Sequence, residues 1–190
     1  MENSINMIYR RFAVVILMVC AMIVSSHEAK AQQVAVKTNA LYWLAMTPNI
    51  GCEIVAGEHT SLDISASGHW KPYDLPSKLI SIQPEFRYWF NGRPFTRQYV
   101  GAKLQITKYD IAWKKSVYDG TAASVGIIFG HVFNIAKRWN LELEGGLDAV
   151  AYTQKEYYKN DIYDDYGDKN NSLGITMCPH LSVSFSYIIK

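Results

Sequence analysis

The last stretch of the chain alternates from residue to residue. From 175 to 189 every odd position is apolar: Ile175, Met177, Pro179, Leu181, Val183, Phe185, Tyr187 and Ile189. The even positions are small or polar: Gly174, Thr176, Cys178, His180, Ser182, Ser184 and Ser186. Side chains alternate faces along a strand, so this segment predicts one long strand with an oily face and a small polar face. Globular strands average about five to six residues, whereas a strand that crosses a bilayer needs about nine to eleven. A chain ending on such a strand predicts a closed barrel in an outer membrane.

The same alternation recurs toward the N-terminus. Strands are predicted over about 34–46, 49–56, 60–70, 79–90, 99–111, 121–133 and 139–152, before the last one at 174–190. In the third, Leu62, Ile64, Ala66 and Trp70 alternate with Ser61, Asp63, Ser65, Ser67 and His69. In the seventh, Trp139, Leu141, Leu143 and Leu147 oppose Asn140, Glu142, Glu144 and Asp148. The segments 57–59, 91–95 and 134–138 read as short turns, and 71–78, 109–120 and 155–172 as longer loops. Short turns at one end and long loops at the other are the asymmetry of an outer-membrane barrel. The connection around Thr47-Pro48-Asn49 is short for the long-loop end. The expected fold is therefore all-β: an eight-stranded antiparallel up-and-down transmembrane β-barrel. Pro84 and Pro179 lack an N–H for the ladder, so bulges are expected there.

A second arrangement shares this alternation, a soluble periplasmic barrel with its oily face inward around a small hydrophobic ligand. The polar face argues for the membrane. Ser182, Ser184, Ser186, Gly101, Gly126, Gly130 and Gly146 are small, as a narrow eight-stranded lumen requires. Tyr42 and Trp70 at one rim, with Phe90, Trp139 and Tyr187 at the other, would form two aromatic belts.

The N-terminus reads as a targeting signal. Arg10 and Arg11 precede an apolar run from Phe12 to Val24, and Ala29-x-Ala31 matches a small-residue cleavage site, placing the mature start at Gln32. The expected division is a signal peptide over 1–31 and a barrel over 32–190. The bulky Val19 before Cys20, and the apolar run continuing past it, argue against lipid attachment. Without Arg10, Arg11 and Lys30 the 19 basic residues become 16, and without Glu2 and Glu28 the 17 acidic ones become 15, a formal charge of +1. That gives no electrostatic case for nucleic-acid binding. Cys52 lies on an apolar parity and Cys178 on a polar one, so a disulfide would have to cross the barrel wall. No Cys/His metal spacing occurs, and no metal or other cofactor is expected.

Several segments carry a family likeness. Lys37-Thr38-Asn39-Ala40-Leu41-Tyr42, Thr47-Pro48-Asn49-Ile50-Gly51-Cys52-Glu53, Gln83-Pro84-Glu85-Phe86-Arg87-Tyr88-Trp89 and Lys137-Arg138-Trp139-Asn140-Leu141-Glu142 together resemble a domain-of-unknown-function family of outer-membrane β-barrels from Bacteroides-type bacteria. The resemblance spans essentially the whole mature chain. It implies a small outer-membrane barrel of a Gram-negative cell, often encoded beside genes for surface fimbriae. It implies no catalytic residues.

Nine charged residues fall on the polar parity: Lys37, Glu53, Asp63, Glu85, Arg87, Lys103, Glu142, Glu144 and Asp148. Inside a narrow lumen they must pair, because an unpaired charge away from water is very costly. They are expected to form an ionic plug, and the excess of acids over bases requires further partners. Enzymatic chemistry has weaker support. His180 and Ser182 share a parity, as acyl transfer on lipid A would need, but no complete triad spacing can be read, and His131 lies on an apolar parity. His69 is the other histidine weighed. The segment 155–171 interleaves Tyr157, Tyr158, Tyr163 and Tyr166 with Asp161, Asp164, Asp165 and Asp168. Its spacing does not match a calcium loop, and tyrosines make good contact surfaces. It is the candidate recognition loop for a surface or fimbrial protein, with outer-membrane lipid as the other expected partner.

Overall fold

In the computed structural model the described residues are 33–113, 116–158 and 171–189. They form eight strands: β1 (Val34–Asn39), β2 (Asn49–Val55), β3 (Thr60–Trp70), β4 (Ser77–Trp89), β5 (Arg97–Trp113), β6 (Ser116–Asn134), β7 (Trp139–Tyr158) and β8 (Asn171–Ile188). Each pairs antiparallel with its chain neighbours, and β1 pairs with β8 to close one up-and-down barrel.

The predicted first strand does not run to residue 46. β1 stops at Asn39, and Ala40–Leu44 form a short helix, α1. The reason is local. Residues 40–46 are an unbroken apolar run without alternation, and the Asn39 side chain caps the helix by accepting from Leu41 N at 2.9 Å. The helical turn also redirects Tyr42. Rather than standing at an outer belt, it lines the interior, while Trp43 is exposed. At the other rim Trp139 and Tyr187 do meet on the outside, with ring centroids 5.0 Å apart.

Two further expectations are corrected. The segment 109–120 is mostly strand: β5 and β6 run on until only residues 114 and 115 separate them. Bulges at Pro84 and Pro179 are absent, and every register is continuous. The ladder accounts for both prolines. Even positions of β4 donate toward β5, as Phe90 N does to Gln98 O. Pro84 therefore forfeits one bond on that side, and the β4–β5 pairing is interrupted between Ile82↔Ile106 and Glu85↔Lys103 without a slip. Odd positions of β8 donate toward β1, as Ile189 N does to Val34 O. Pro179 lies above the last β1–β8 pair, Asn39↔Ser184, so its missing N–H faces a flank with no strand.

Burial is inverted relative to a water-soluble domain. Ile80 is 67% exposed and Ile127 71%, whereas Arg87 is 3% exposed and Glu53 fully buried. The apolar face points outward around the ring, and the charged face points into the lumen.

Glycines on the inner parity make room for their neighbours. A Cβ on Gly130 would lie 2.2 Å from Tyr99 Cζ, whereas one on Gly145 would meet only ordinary contacts, the nearest at 3.6 Å. Gly130→Ala is expected to cost about 1–3 kcal/mol through overpacking. Gly145→Ala should be neutral or slightly stabilising, since a strand glycine is entropically unfavourable. Urea midpoints of the folded barrel check both.

Candidate functional site

Register rows place the charges. One row runs Glu53↔Asp63↔Glu85↔Lys103↔Gly126↔Asp148 across β2 to β7. Gly126 leaves open the space between Lys103 and Asp148, and Lys103 Nζ donates to Asp148 Oδ2 at 2.5 Å. A second row runs Ser61↔Arg87↔Gly101↔Ile128↔Gly146. A third runs Trp89↔Tyr99↔Gly130↔Glu144↔Ser182. In each row a large inward side chain sits beside a glycine, which is how so narrow a lumen holds them.

Arg87 is the hub. Its Nη1 donates to Glu53 Oε2 at 3.0 Å and to Glu142 Oε2 at 3.1 Å. Its Nη2 donates to Glu144 Oε2 at 3.0 Å, and Nε donates to Glu85 Oε2 at 2.8 Å. Nη2 also bonds Glu85. The guanidinium lies 4.5 Å over the Tyr99 ring, a cation–π contact. Lys37 Nζ stands beside it, 3.0 Å from Glu53, 2.9 Å from Asp63 and 2.5 Å from Glu142. The acid excess finds the extra partners it requires. Ser61 Oγ donates to Glu53 Oε1 at 2.6 Å, Gln83 Nε2 to Glu85 Oε1 at 2.6 Å, and Tyr99 OH to Glu144 Oε2 at 2.7 Å. His180 Nε2 lies 2.9 Å from Glu144 Oε1.

All nine charges singled out from the sequence thus face inward and are buried, and Lys103–Asp148 forms a pair apart from the main cluster. Tyr157 and Tyr158 end β7, and Asp161, Tyr163, Asp164, Asp165, Tyr166 and Asp168 lie outside the described residues. The histidines have local partners. His69 bridges Thr47 Oγ1 at 2.9 Å and Ser77 Oγ at 3.0 Å, and His131 packs on Phe133. Ser182 Oγ accepts from Asn39 Nδ2 at 3.0 Å and sits 3.0 Å from Ser184 Oγ. Cys52 and Cys178 are both free and exposed. Among the described residues no group of His, Cys, Asp and Glu is arranged to hold a metal ion.

Sequence reasoning missed the inner apolar layer. Trp89, Tyr99, Ile128 and Val132 form a buried cluster inside the ring toward the short-turn end, and Phe95 packs edge-on against Trp89. Trp89 Nε1 donates to Ser61 Oγ at 2.8 Å, tying this stopper to the charged layer. The signal lay in parity: Trp89 and Tyr99 fall with the polar residues of their strands. On the long-loop side of Arg87 the lumen keeps a polar cup of about 40 Å³, lined among others by Lys37, Asn39, Tyr42, Asp63, Glu144 and Ser182. The interior is thus layered as an apolar stopper, an ion-paired plug and a small cup.

A family model described as "Protein of unknown function (DUF3575)" matches residues 14–189. No curated protein and no solved structure matches the chain.

Removing Arg87 would take the guanidinium from four buried carboxylates, of which Glu53 and Glu142 keep Lys37 while Glu85 and Glu144 lose their Arg87 ion pair. Arg87→Met is expected to destabilise the barrel by about 3–5 kcal/mol, the effect of breaking a buried ion pair from one side. Arg87→Lys should recover only part of that, because an ammonium cannot reproduce the guanidinium fork. Equilibrium unfolding in urea measures both.

Proposed function

The chain belongs to this family of unknown function, and from its inverted barrel we propose that it is a small outer-membrane protein of a Gram-negative cell. It would be exported by the signal peptide at 1–31 and act as a structural or partner-docking element of the surface. The carrying observation is the facing of the wall: apolar side chains exposed outward and charges sealed inward. In a membrane that outward band loses no hydration, and closure of β1 on β8 pairs the wall's backbone groups around the ring as far as Asn39↔Ser184. On β4 the band runs from Ile80 to Tyr88 and on β6 from Ala123 to Phe133, lengths that suit a tilted spanning strand of about nine to eleven residues.

The layered lumen supports a non-conducting role. An apolar stopper backed by a dense ion-paired layer fills the lumen at two levels and would block a continuous water path. Recognition would then fall to the outer loops, chiefly the expected loop 155–172, whose ends 155–158 and 171–172 are strand, with a surface or fimbrial protein as the partner that the family likeness suggests.

A second reading is hydrolysis or transfer of a lipid A acyl chain. It draws on the Glu144–His180 pair, which lies one register step from Ser182. His180→Ala would alter the lipid A mass spectrum under this reading and leave it unchanged under the first.

Three measurements test the main reading. In isolated outer membranes, unboiled protein should migrate apart from boiled protein on a detergent gel. Recovery in the soluble periplasmic fraction with no such shift would refute membrane insertion. Planar-bilayer recordings should show no steady large conductance, and a persistent open level would sink the plug. Deleting Asp161–Asp168 should preserve the gel shift and abolish capture of a fimbrial or surface partner, whereas undiminished capture would remove the loop from recognition.

A further inference from the structure

The wall rises beyond the closed ring on one side. The last β1–β8 pair is Asn39↔Ser184 and the last β2–β3 pair is Asn49↔Ser67, whereas β5 and β6 pair on to Trp113↔Ser116. Past the ring, the inner parity of β3 to β8 forms a curved face. One register row of that face runs Ser67↔Ser81↔Thr107↔Ala122↔Tyr152↔Gly174. The next runs His69↔Leu79↔Tyr109↔Gly120↔Gln154↔Ser172. Neither row holds an Asp, Glu, Lys or Arg.

The charges at this level are on the other side. Lys78 pairs across to Asp110, and Asp110 to Asp119, all on the outward parity. Below, in the barrel proper, apolar residues face out and charges face in. Here the two faces exchange character, as they would where the wall leaves an apolar surround and its outer side meets water.

Two tyrosines define the inner face. A Cβ on Gly120 would lie 2.7 Å from Tyr109 OH, and one on Gly174 would fall against Tyr152 Cζ. Each ring therefore lies down across the neighbouring strand, on a glycine, and does not stand up from the sheet. The rings belong to strands two apart, about 10 Å at the usual strand spacing. Tyr109 OH donates to Gln154 Oε1 at 3.1 Å, which holds a side-chain amide beside the rings. Thr176 and Cys178, on the same parity of β8, are exposed, so the space before this face is open. Beneath it lies the polar cup, with the hydroxyls of Ser65, Ser67, Ser182 and Ser184 in its lining.

The chemistry of the face selects its ligand. Aromatic faces carry negative quadrupole charge and attract weakly positive C–H groups, while hydroxyls and an amide want hydrogen-bonding partners. A sugar ring offers both. An anionic ligand is opposed by the six carboxylates against three bases in the lumen below. An acyl chain would leave the hydroxyls and the amide unmatched. An added peptide strand needs a sheet edge, and this is a sheet face.

We propose that the inner face around Tyr109 and Tyr152 is a binding site for a neutral glycan of at least two sugar units, stacked on the two rings and hydrogen-bonded by Gln154. Its place outside the cell rests on the membrane reading above.

The test uses the purified protein refolded into detergent micelles. Cellohexaose and maltohexaose are the neutral probes, and a heparin hexasaccharide is the anionic one. Saturation-transfer NMR should show transfer to the C–H protons of at least one neutral hexaose and none to the heparin fragment. Tyr109→Ala combined with Tyr152→Ala should raise the dissociation constant by about tenfold or more through lost stacking. The corresponding Phe pair keeps both rings and should bind within about threefold of the unmodified protein. Gln154→Ala should weaken binding by about threefold, the loss of one hydrogen bond, and it carries the test if the alanine pair fails to fold. No transfer to either neutral hexaose, unchanged binding in a folded alanine pair or in Gln154→Ala, or stronger transfer to heparin would each overturn the site. The heat-dependent gel shift is run on every sample. Its presence without transfer refutes the glycan site alone, and its absence in the unmodified protein refutes the membrane reading.

Discussion

The barrel depends on a buried guanidinium surrounded by carboxylates. Strand pairing holds each neighbour to the next, but it is the Arg87 cluster that holds the ring across its diameter. From β4 the guanidinium reaches Glu53 on β2 and both Glu142 and Glu144 on β7. Lys37 adds β1 and, through Asp63, β3. Such a network also fixes register. A one-residue slip of any strand would exchange its faces, putting carboxylates on the apolar outside and leucines in the lumen. Buried ion pairs contribute little net stability against well-packed apolar alternatives. Their value here is that only one arrangement of eight strands satisfies them all.

Space is the second constraint, and it is coupled to the first. Tyr99 can lie beneath Arg87 and donate to Glu144 only because Gly130 stands between their strands. Ile128 fits only because Gly101 and Gly146 flank it in the same row. Charge pairing and volume therefore select the same register independently. This agreement across levels is what gives a sequence one structure instead of several near-equivalent ones.

That agreement explains what could be read from the sequence alone. Parity survives in a linear pattern, so eight strands and the inward facing of residues such as Glu53 and Arg87 were legible. Which charges meet was not, because rows such as Glu53↔Asp63↔Glu85↔Lys103 exist only once the registers are set. The helix at Ala40–Leu44 was hidden for another reason. Its apolar run fits a strand as well as a helix by composition, and the decision falls to the Asn39 cap. Trp89 and Tyr99 were misleading in a third way, because aromatics are expected on the lipid side and here close the lumen from within. Tyr42 shows the converse, since a residue expected at the outer belt was turned inward by a helical rotation.

The two strand prolines show how unevenly the wall is built. Pro84 sits between two strands and breaks one ladder bond to β5, a cost the continuous register on both sides absorbs. Pro179 loses no ladder bond, because β1 has already ended where its N–H would point. A proline is tolerated there only while that flank stays unpaired, and its presence keeps it so by discouraging a foreign strand. The short β1, the α1 helix that follows it and Pro179 are thus parts of one arrangement. It replaces strand pairing with the α1 helix beside the polar cup, where Asn39 bonds Ser182, while the stopper around Trp89 fills the opposite end of the lumen.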